Sequence, residues 1–258
     1  MGDTVNIRTT PTVTIRDYVK GQTLQVERPD SEKLQLLIDK GKYFNCIEDD
    51  VDRVQSDIKL MDAWSKDASE GMKTTIDTDV LTGMLTDIHA SNVGATAGAV
   101  SASFNLGTSG SPLTVSKDGA GGTTSVIDLI VDMGTVLDEA NAPEAGRYLV
   151  IPAKMAGLIK KSELKDASLT GDGSTPLRNG RLGMIDRFTL YVSHNLYVSS
   201  SKYSIVGGHK MGFTFASQMT NMESLRAEST FGNLVRGLQV YGYKVVKPQA
   251  LTKAVIQF

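Results

Sequence analysis

Apolar and polar residues change their period several times along this chain, and each change marks a different element. Val5-Asn6-Ile7, Val13-Thr14-Ile15 and Leu24-Gln25-Val26 alternate apolar with polar. That is the period of half-buried strands, because successive strand side chains point to opposite faces. Asp17-Tyr18-Val19-Lys20-Gly21-Gln22 offers a glycine where a hairpin can reverse, and Pro29-Asp30-Ser31 marks a break before Leu34-Gln35-Leu36-Leu37-Ile38. The outer part of this region has too few apolar residues to build its own core, so it is expected to project as an arm and pack elsewhere.

The period then becomes helical. Asp49 and Asp50 supply N-cap chemistry and negative charge at the positive end of a helix. Val51, Val54, Ile58, Met61, Trp64, Ala68, Met72, Ile76, Val80, Met84 and Ile88 follow in steps of three or four. A helix from Asp50 to His89 would span roughly 60 Å at 1.5 Å per residue, long enough to imply an elongated subunit. The later steps of four rotate the stripe by about 40° each, so the helix must turn its apolar face or bend, with Gly71 and Gly83 the expected places.

From Ser91 to Thr124 the chain is rich in Gly, Ser, Thr and Ala and reads as loops, with a short strand such as Val100 to Leu106. Ser125 and Asp128 have capping-box spacing before a second amphipathic helix faced by Val126, Ile130, Met133 and Leu137 and ended by Pro143. Arg147 to Ile151 reads as a buried strand, and Pro152 opens a short helix over Ala153 to Lys161. Asp166 to Gly180 reads as a polar loop; strands are expected at Phe188–Val192, Tyr203–Val206, Met222–Glu228, Leu234–Val246 and Ala254–Phe258.

Composition narrows the function. The formal net charge is −2 with interspersed signs, which does not give the basic face that a dedicated nucleic-acid binder needs to neutralise phosphates. No apolar run is long enough to cross a bilayer, and no basic start leads into an apolar stretch as a secretory signal would. Cys46 is the single cysteine, which rules out an intramolecular disulfide and fits a reducing cytoplasm.

Candidate chemistry is sparse. His89, His194 and His209 are scattered, with no pair at metal-ligand spacing, and neither a nucleophile elbow nor a phosphate-binding loop occurs. On a strand, the adjacent Ser193 and His194 would face opposite ways. Glu48-Asp49-Asp50-Val51-Asp52 could hold a hard cation, but the simpler reading is an acidic first helical turn. Gly171-Asp172-Gly173-Ser174-Thr175 lacks the alternating carboxylates of a calcium loop and reads as a surface loop. The methionines and Trp64 of the helical stripe read as core and interface packing.

The order of elements carries a resemblance: projecting hairpin, strand, very long helix, mixed α/β region, then returning strands. Gly2-Asp3-Thr4-Val5-Asn6-Ile7, the stretch from Ile38-Asp39 through Asp49-Asp50 to Gln55, and Tyr148-Leu149-Val150-Ile151-Pro152 each resemble segments of tailed-bacteriophage major capsid proteins of the Hong Kong 97 fold. So do Gly183-Met184-Ile185-Asp186-Arg187-Phe188-Thr189-Leu190-Tyr191-Val192-Ser193-His194-Asn195-Leu196 and Phe231-Gly232 through Tyr241-Gly242-Tyr243-Lys244-Val245-Val246-Lys247-Pro248. Asp186-Arg187-Phe188 departs from the Gly-Phe pair usual there.

The resemblance implies an α/β (mixed α+β) subunit of that fold. An extended β-hairpin loop would lie at 8–35, after a remnant of an N-terminal arm and first strand at 1–7. A peripheral domain would take 36–104 and 236–258, with its spine helix at about 50–89, and an inserted axial domain would take 105–235. The family normally places an arm of several dozen residues before the Gly-Asp-Thr-Val stretch. Only Met1 precedes it here, so the arm is expected to be cleaved, to lie outside this sequence, or to be dispensed with.

The implied function is a self-assembling shell subunit, with no catalytic, cofactor or metal residues. Many copies would form hexamers and pentamers of an icosahedral virion head, assembled in the host cytoplasm around double-stranded DNA that is contacted non-specifically. Scaffolding, portal and decoration proteins are further expected partners, and a membrane is not. Arg16, Asp17, Tyr18, Lys20, Glu27 and Arg28 are the expected interface residues at the loop. Some members of the fold join a loop lysine to a neighbour's asparagine, and Lys20 has that location; the simpler reading is a solvated lysine or an intersubunit ion pair. An encapsulin-like compartment shell is the alternative within the fold, and a soluble α/β enzyme the alternative outside it.

Overall fold

The computed structural model describes residues 4–8, 13–28, 33–55, 60–162, 183–228 and 230–258. The chain runs through β1 (Thr4–Arg8), β2 (Lys33–Leu37), β3 (Lys40–Asp49), α1 (Asp50–Gln55), α2 (Leu60–Gly83), β4 (Leu113–Ser116), β5 (Thr124–Ser125) and α3 (Val126–Glu139). It continues through β6 (Arg147–Ile151), α4 (Ala153–Lys161), β7 (Met184–Ile185), β8 (Phe188–Val192), β9 (Val198–Ser199), β10 (Lys202–His209), β11 (Phe213–Arg226), β12 (Gly232–Val245) and β13 (Leu251–Gln257).

Three sheets result. β1 and β2 form an antiparallel ribbon, with Thr4 opposite Leu37 and Arg8 opposite Lys33. A long three-stranded antiparallel sheet has the order β11-β12-β3. Its β12–β3 pair brings residues about 190 apart in sequence into register, as where Tyr43 faces Leu238. The third sheet has eight strands in the order β5-β4-β13-β10-β6-β8-β7, with β9 paired to β10. The main core sits on this sheet, where α3 buries Leu129, Ile130, Met133, Val136 and Leu137. α3 begins as its sequence dictates, with the Ser125 hydroxyl accepting from Ile127 N at 3.3 Å.

Helix α2 runs 24 residues, about 36 Å. It lies on the three-stranded sheet through one buried apolar side chain, Ile76, and a polar cluster. Asp79 accepts from Tyr241 Oη at 2.7 Å and from Lys40 Nζ at 3.2 Å, and its carbonyl accepts from Tyr243 Oη at 3.1 Å. The helix stops at Gly83, six residues before the expected end at His89. The apolar stripe continues, but Met84, Leu85 and Ile88 turn into the core of the eight-stranded body, where burial gains more than further exposed helix would. The last turn tightens, with Leu85 N bonding Thr82 O at 3.3 Å and the Thr86 hydroxyl donating to Gly83 O at 2.9 Å. The segment 56–59 of the expected continuous helix lies outside the described residues.

Gly83 is where backbone and sheet meet most closely, because a Cβ there would overlap the Tyr243 phenol oxygen. Gly83→Ala is therefore expected to push Tyr243 off Asp79 and to destabilise the subunit by about 1–3 kcal/mol. Urea unfolding checks this, and Tyr243→Phe in the same chain should recover part of the loss.

Three further expectations change. Val100–Leu106 is not a strand; a single bridge joins Ala97 to Phe104, and the left-handed backbone at Gly98 and Ala102 prevents its extension. The strand expected from Met222 begins at Phe213, and its partner, expected from Leu234, begins at Gly232. The C-terminal strand, expected beside the spine helix, pairs instead with β10 and β4. Its Ala254, Val255 and Ile256 are buried there, and this apolar content is what takes it into the main core. The expected polar loop Asp166–Gly180 lies outside the described residues, as does the Gly171–Thr175 stretch.

Candidate assembly interface

Between β1 and β2, residues 13–28 stand away from the body. Residues 13–28 are exposed throughout, and neither expected strand forms, although the alternation is there. The reason is physical: a strand needs a partner for its backbone, and among the described residues none is provided here. Ile15 is 90% exposed, Val26 87% and Tyr18 70%, a concentration of bare apolar surface that a solitary subunit would not keep.

The loop nevertheless has a defined form. Gln22 N donates to Val19 O at 3.1 Å, and Gly21 takes a left-handed φ of 89°, closing the reversal at Lys20-Gly21. Gln22 Nε2 donates to Asp17 O at 3.1 Å. Across the two arms, Glu27 accepts from Thr14 N and from Thr14 Oγ1, both at 3.2 Å. Arg16, Asp17, Tyr18, Lys20, Glu27 and Arg28 are thus all exposed on one projecting element, with Lys20 at its tip and Glu27 bracing its arms.

Two other surfaces were not singled out in the sequence. On the outer face of the long sheet, Tyr43, Asn45, Asn221, Glu223, Arg236 and Leu238 line a groove of about 410 Å³. Arg236 crosses it to Glu223 at 2.6 Å. The signal was the alternation at Tyr43, Asn45 and Ile47, but only strand pairing reveals that Leu238 and Asn221 join the same face. The β11–β12 turn is the second surface. Phe231 is 84% exposed there, yet its carbonyl accepts from Asp50 N at 2.9 Å, and the Arg226 guanidinium pairs with the Asp50 carboxylate. Of the acidic run, Glu48 and Asp49 end β3, with Glu48 buried, and only Asp50 opens the helix, tied to this turn. Among the described residues, no group of three or more His, Cys, Asp or Glu is placed to hold a metal ion.

A family model for phage capsid protein matches residues 32–254. The chain belongs to that family. Its fold agrees: a chain from Mycobacterium phage Che8 is 27% identical, with 98% of this chain aligned over 85% of that one and a TM-score of 0.75. The capsid of Cyanophage P-SCSP1u (14% identity, 99% and 84% covered, TM-score 0.70) and that of a native GTA particle (14%, 100% and 86%, TM-score 0.68) share the fold. None of the curated proteins compared matches the chain. Family and fold together make this a major capsid protein of the Hong Kong 97 type, a structural subunit of the virion, and do not favour the encapsulin alternative.

The capsid protein also carries an acid-sensitive joint. Burial pushes the Asp79 carboxyl up, but the Tyr241 hydroxyl and the Lys40 ammonium outweigh it and hold the group below the ordinary carboxylate range. Its folded value lies below its unfolded one, so this stabilisation is complete above about pH 4 and is lost as pH falls through the folded value. Asp79→Asn is expected to cost about 1 kcal/mol at neutral pH, and the difference from wild type should shrink in urea titrations as pH is lowered below about 4.

Proposed function

We propose that many copies of this capsid protein tile as hexamers and pentamers into the icosahedral head that encloses the phage's double-stranded DNA. The extended loop is the main contact between neighbours, with Arg16, Asp17, Tyr18, Lys20, Glu27 and Arg28 on the contacting element. The observation that carries this is the bare apolar surface of residues 13–28, which the subunit itself leaves uncovered. Apolar residues supply the affinity, and the alternating charges of the arms set register more than strength. Single contacts are modest, but each subunit makes several, so a closed shell holds through avidity.

In this reading the eight-stranded body is the axial domain, and the long sheet with α2 is the peripheral domain. The protein works by assembly rather than by catalysis. It assembles in the host cytoplasm, contacts the packaged DNA non-specifically, and meets scaffolding, portal and decoration proteins as the head is built. Lys20 serves as a solvated or ion-paired residue rather than as a crosslink donor, so denatured particles should give only the monomer mass. Electron microscopy of the purified protein tests the whole reading: shells or capsomer rings are expected, and a uniform monomer or dimer would refute it.

A further inference from the structure

The long sheet and the eight-stranded body are joined where the chain crosses between them. It passes from α2 into the eight-stranded body over 84–92, returns to the long sheet between β10 and β11, and leaves it again between β12 and β13. Each crossing contains a single turn of 3-10 helix: Ala90–Asn92, Lys210–Gly212 and Pro248–Ala250. The three turns are bundled. His89 N donates to Pro248 O at 3.3 Å, and the Asn92 side-chain amide donates to Gln249 O at 2.7 Å and to Leu251 O at 2.9 Å. From the second turn, Gly212 O accepts from Val246 N at 2.8 Å and from Lys247 N at 3.2 Å. A Cβ on Gly208 would overlap the Ala250 carbonyl, so the third crossing lies hard against β10 as well.

Hydrogen bonds in such short turns are poorer than those of an α-helix, so what caps them matters. Two of the three are capped by an imidazole. His209 is 7% exposed, its ring lies against Gly146, and its Nδ1 accepts from Met211 N at 3.3 Å. His89 is exposed, and its Nδ1 accepts from Ser91 N at 3.3 Å and lies 2.7 Å from Ser91 Oγ. The third turn opens on Pro248 with no side-chain cap. A ring nitrogen that accepts carries no proton, so each cap requires the neutral imidazole with its hydrogen on Nε2. A second proton turns Nδ1 into a donor that faces a backbone donor. The charged groups around the bundle are mostly cations. Arg147 stands opposite His209 on β6, Lys210 follows it, Lys247 heads the third turn, and Lys253 Nζ donates to Leu85 O at 3.4 Å, while Asp87 precedes the first turn. An added imidazolium therefore joins like charge.

We infer that His89 and His209 make the joint between the two bodies a pH-sensitive lock, closed while both rings are neutral and loosened when they are protonated. The inference concerns the single subunit and does not depend on the assembly reading. Free imidazole side chains change charge near pH 6.5. The neutral form is the one the fold uses, so the caps are present above that range and are lost as pH falls through it. Asp79 gives way only below about pH 4, so the two acid responses are separable.

Hydrogen exchange on the unassembled subunit, corrected for the intrinsic pH dependence of amide exchange, tests this between about pH 7.5 and about pH 5. Each cap is worth about fivefold in the local opening equilibrium. Protection of the Ser91, Met211, Val246 and Lys247 amides should therefore fall by about fivefold to 25-fold, while that of α3 and β6 holds. His89→Asn combined with His209→Asn supplies cap oxygens that do not titrate, so its joint amides should keep their protection across the same range. Imidazole nitrogen spectra of the wild type should show hydrogen on Nε2 alone at the higher pH and on both nitrogens at the lower. Joint amides equally protected at both pH values would overturn the inference, as would their loss only together with the core or to the same extent in the double variant. A His209 ring with hydrogen on Nδ1 at the higher pH, or still neutral at the lower, would overturn it without recourse to any variant.

Discussion

Arg147→Met is expected to destabilise the subunit by about 3–5 kcal/mol, because several buried acceptors lose their donor at about 1–3 kcal/mol each. The Arg147 side chain is 0% exposed, and each of its three guanidinium nitrogens donates. Nε donates to Pro143 O at 2.9 Å, one terminal nitrogen to Gly134 O at 3.3 Å, and the other to Ala142 O and Asp138 Oδ1, both at 2.7 Å. These acceptors are the Gly134 carbonyl of α3, the Asp138 carboxylate, and two carbonyls of the turn that leads from α3 into β6. Methionine fills similar volume but donates nothing, so several buried carbonyls lose their hydrogen bonds at once. The midpoint of urea unfolding should fall with its slope unchanged. Asp138→Asn should cost much less, because Asp138 is partly solvated and Arg147 keeps its carbonyl partners.

The same corner explains a departure from the family's wording. Asp186 and Arg187 both have left-handed backbone, with φ of 44° and 66°, in the two-residue turn between β7 and β8, where glycine is the easier residue. Arg187 compensates by reaching Asp138 at 2.7 Å and Glu144 at 3.1 Å. The Asp186 carboxylate lies so close over Gly134 that a Cβ there would overlap it. A strained turn is thus held down onto α3 by charges that also meet Arg147.

What could be read from the residues alone was what local chemistry decides. The Ser125 cap, the span of α4 after Pro152, and β6 and β8 came out residue for residue or nearly so, because capping, proline and apolar runs act within a few positions. The stop at Gly83 was hidden, since the apolar stripe runs on past it and only the tertiary core decides that Met84 and Ile88 serve a different body. The sheet that takes the C-terminal strand was hidden for a similar reason: alternation marks a strand but not its partner. At the candidate interface, the loop residues were legible as apolar positions without a local core. The groove was not, because it depends on pairings such as Tyr43 with Leu238.

That contrast sets up the sharpest separation of folding from assembly. Ile15→Asp combined with Val26→Asp is expected to leave the isolated subunit's unfolding midpoint within about 0.5 kcal/mol of wild type, as substitutions away from buried features do. Both side chains are almost wholly exposed, so the fold gains nothing from them. Assembly should respond in the opposite way. Burying an isoleucine or valine contributes about 1.5–3 kcal/mol, so losing both from a contact weakens it by at least about a hundredfold at 1.4 kcal/mol per decade. Placing carboxylates in the desolvated contact adds to the loss. In the proposed shell every subunit makes this contact, so the concentration needed for shell formation should rise by that factor or more, read by light scattering and sedimentation. Shells forming at the wild-type concentration from the double variant would show that the loop's apolar residues do not hold neighbours together. A collapse of the subunit's own stability would show that they belong to its core.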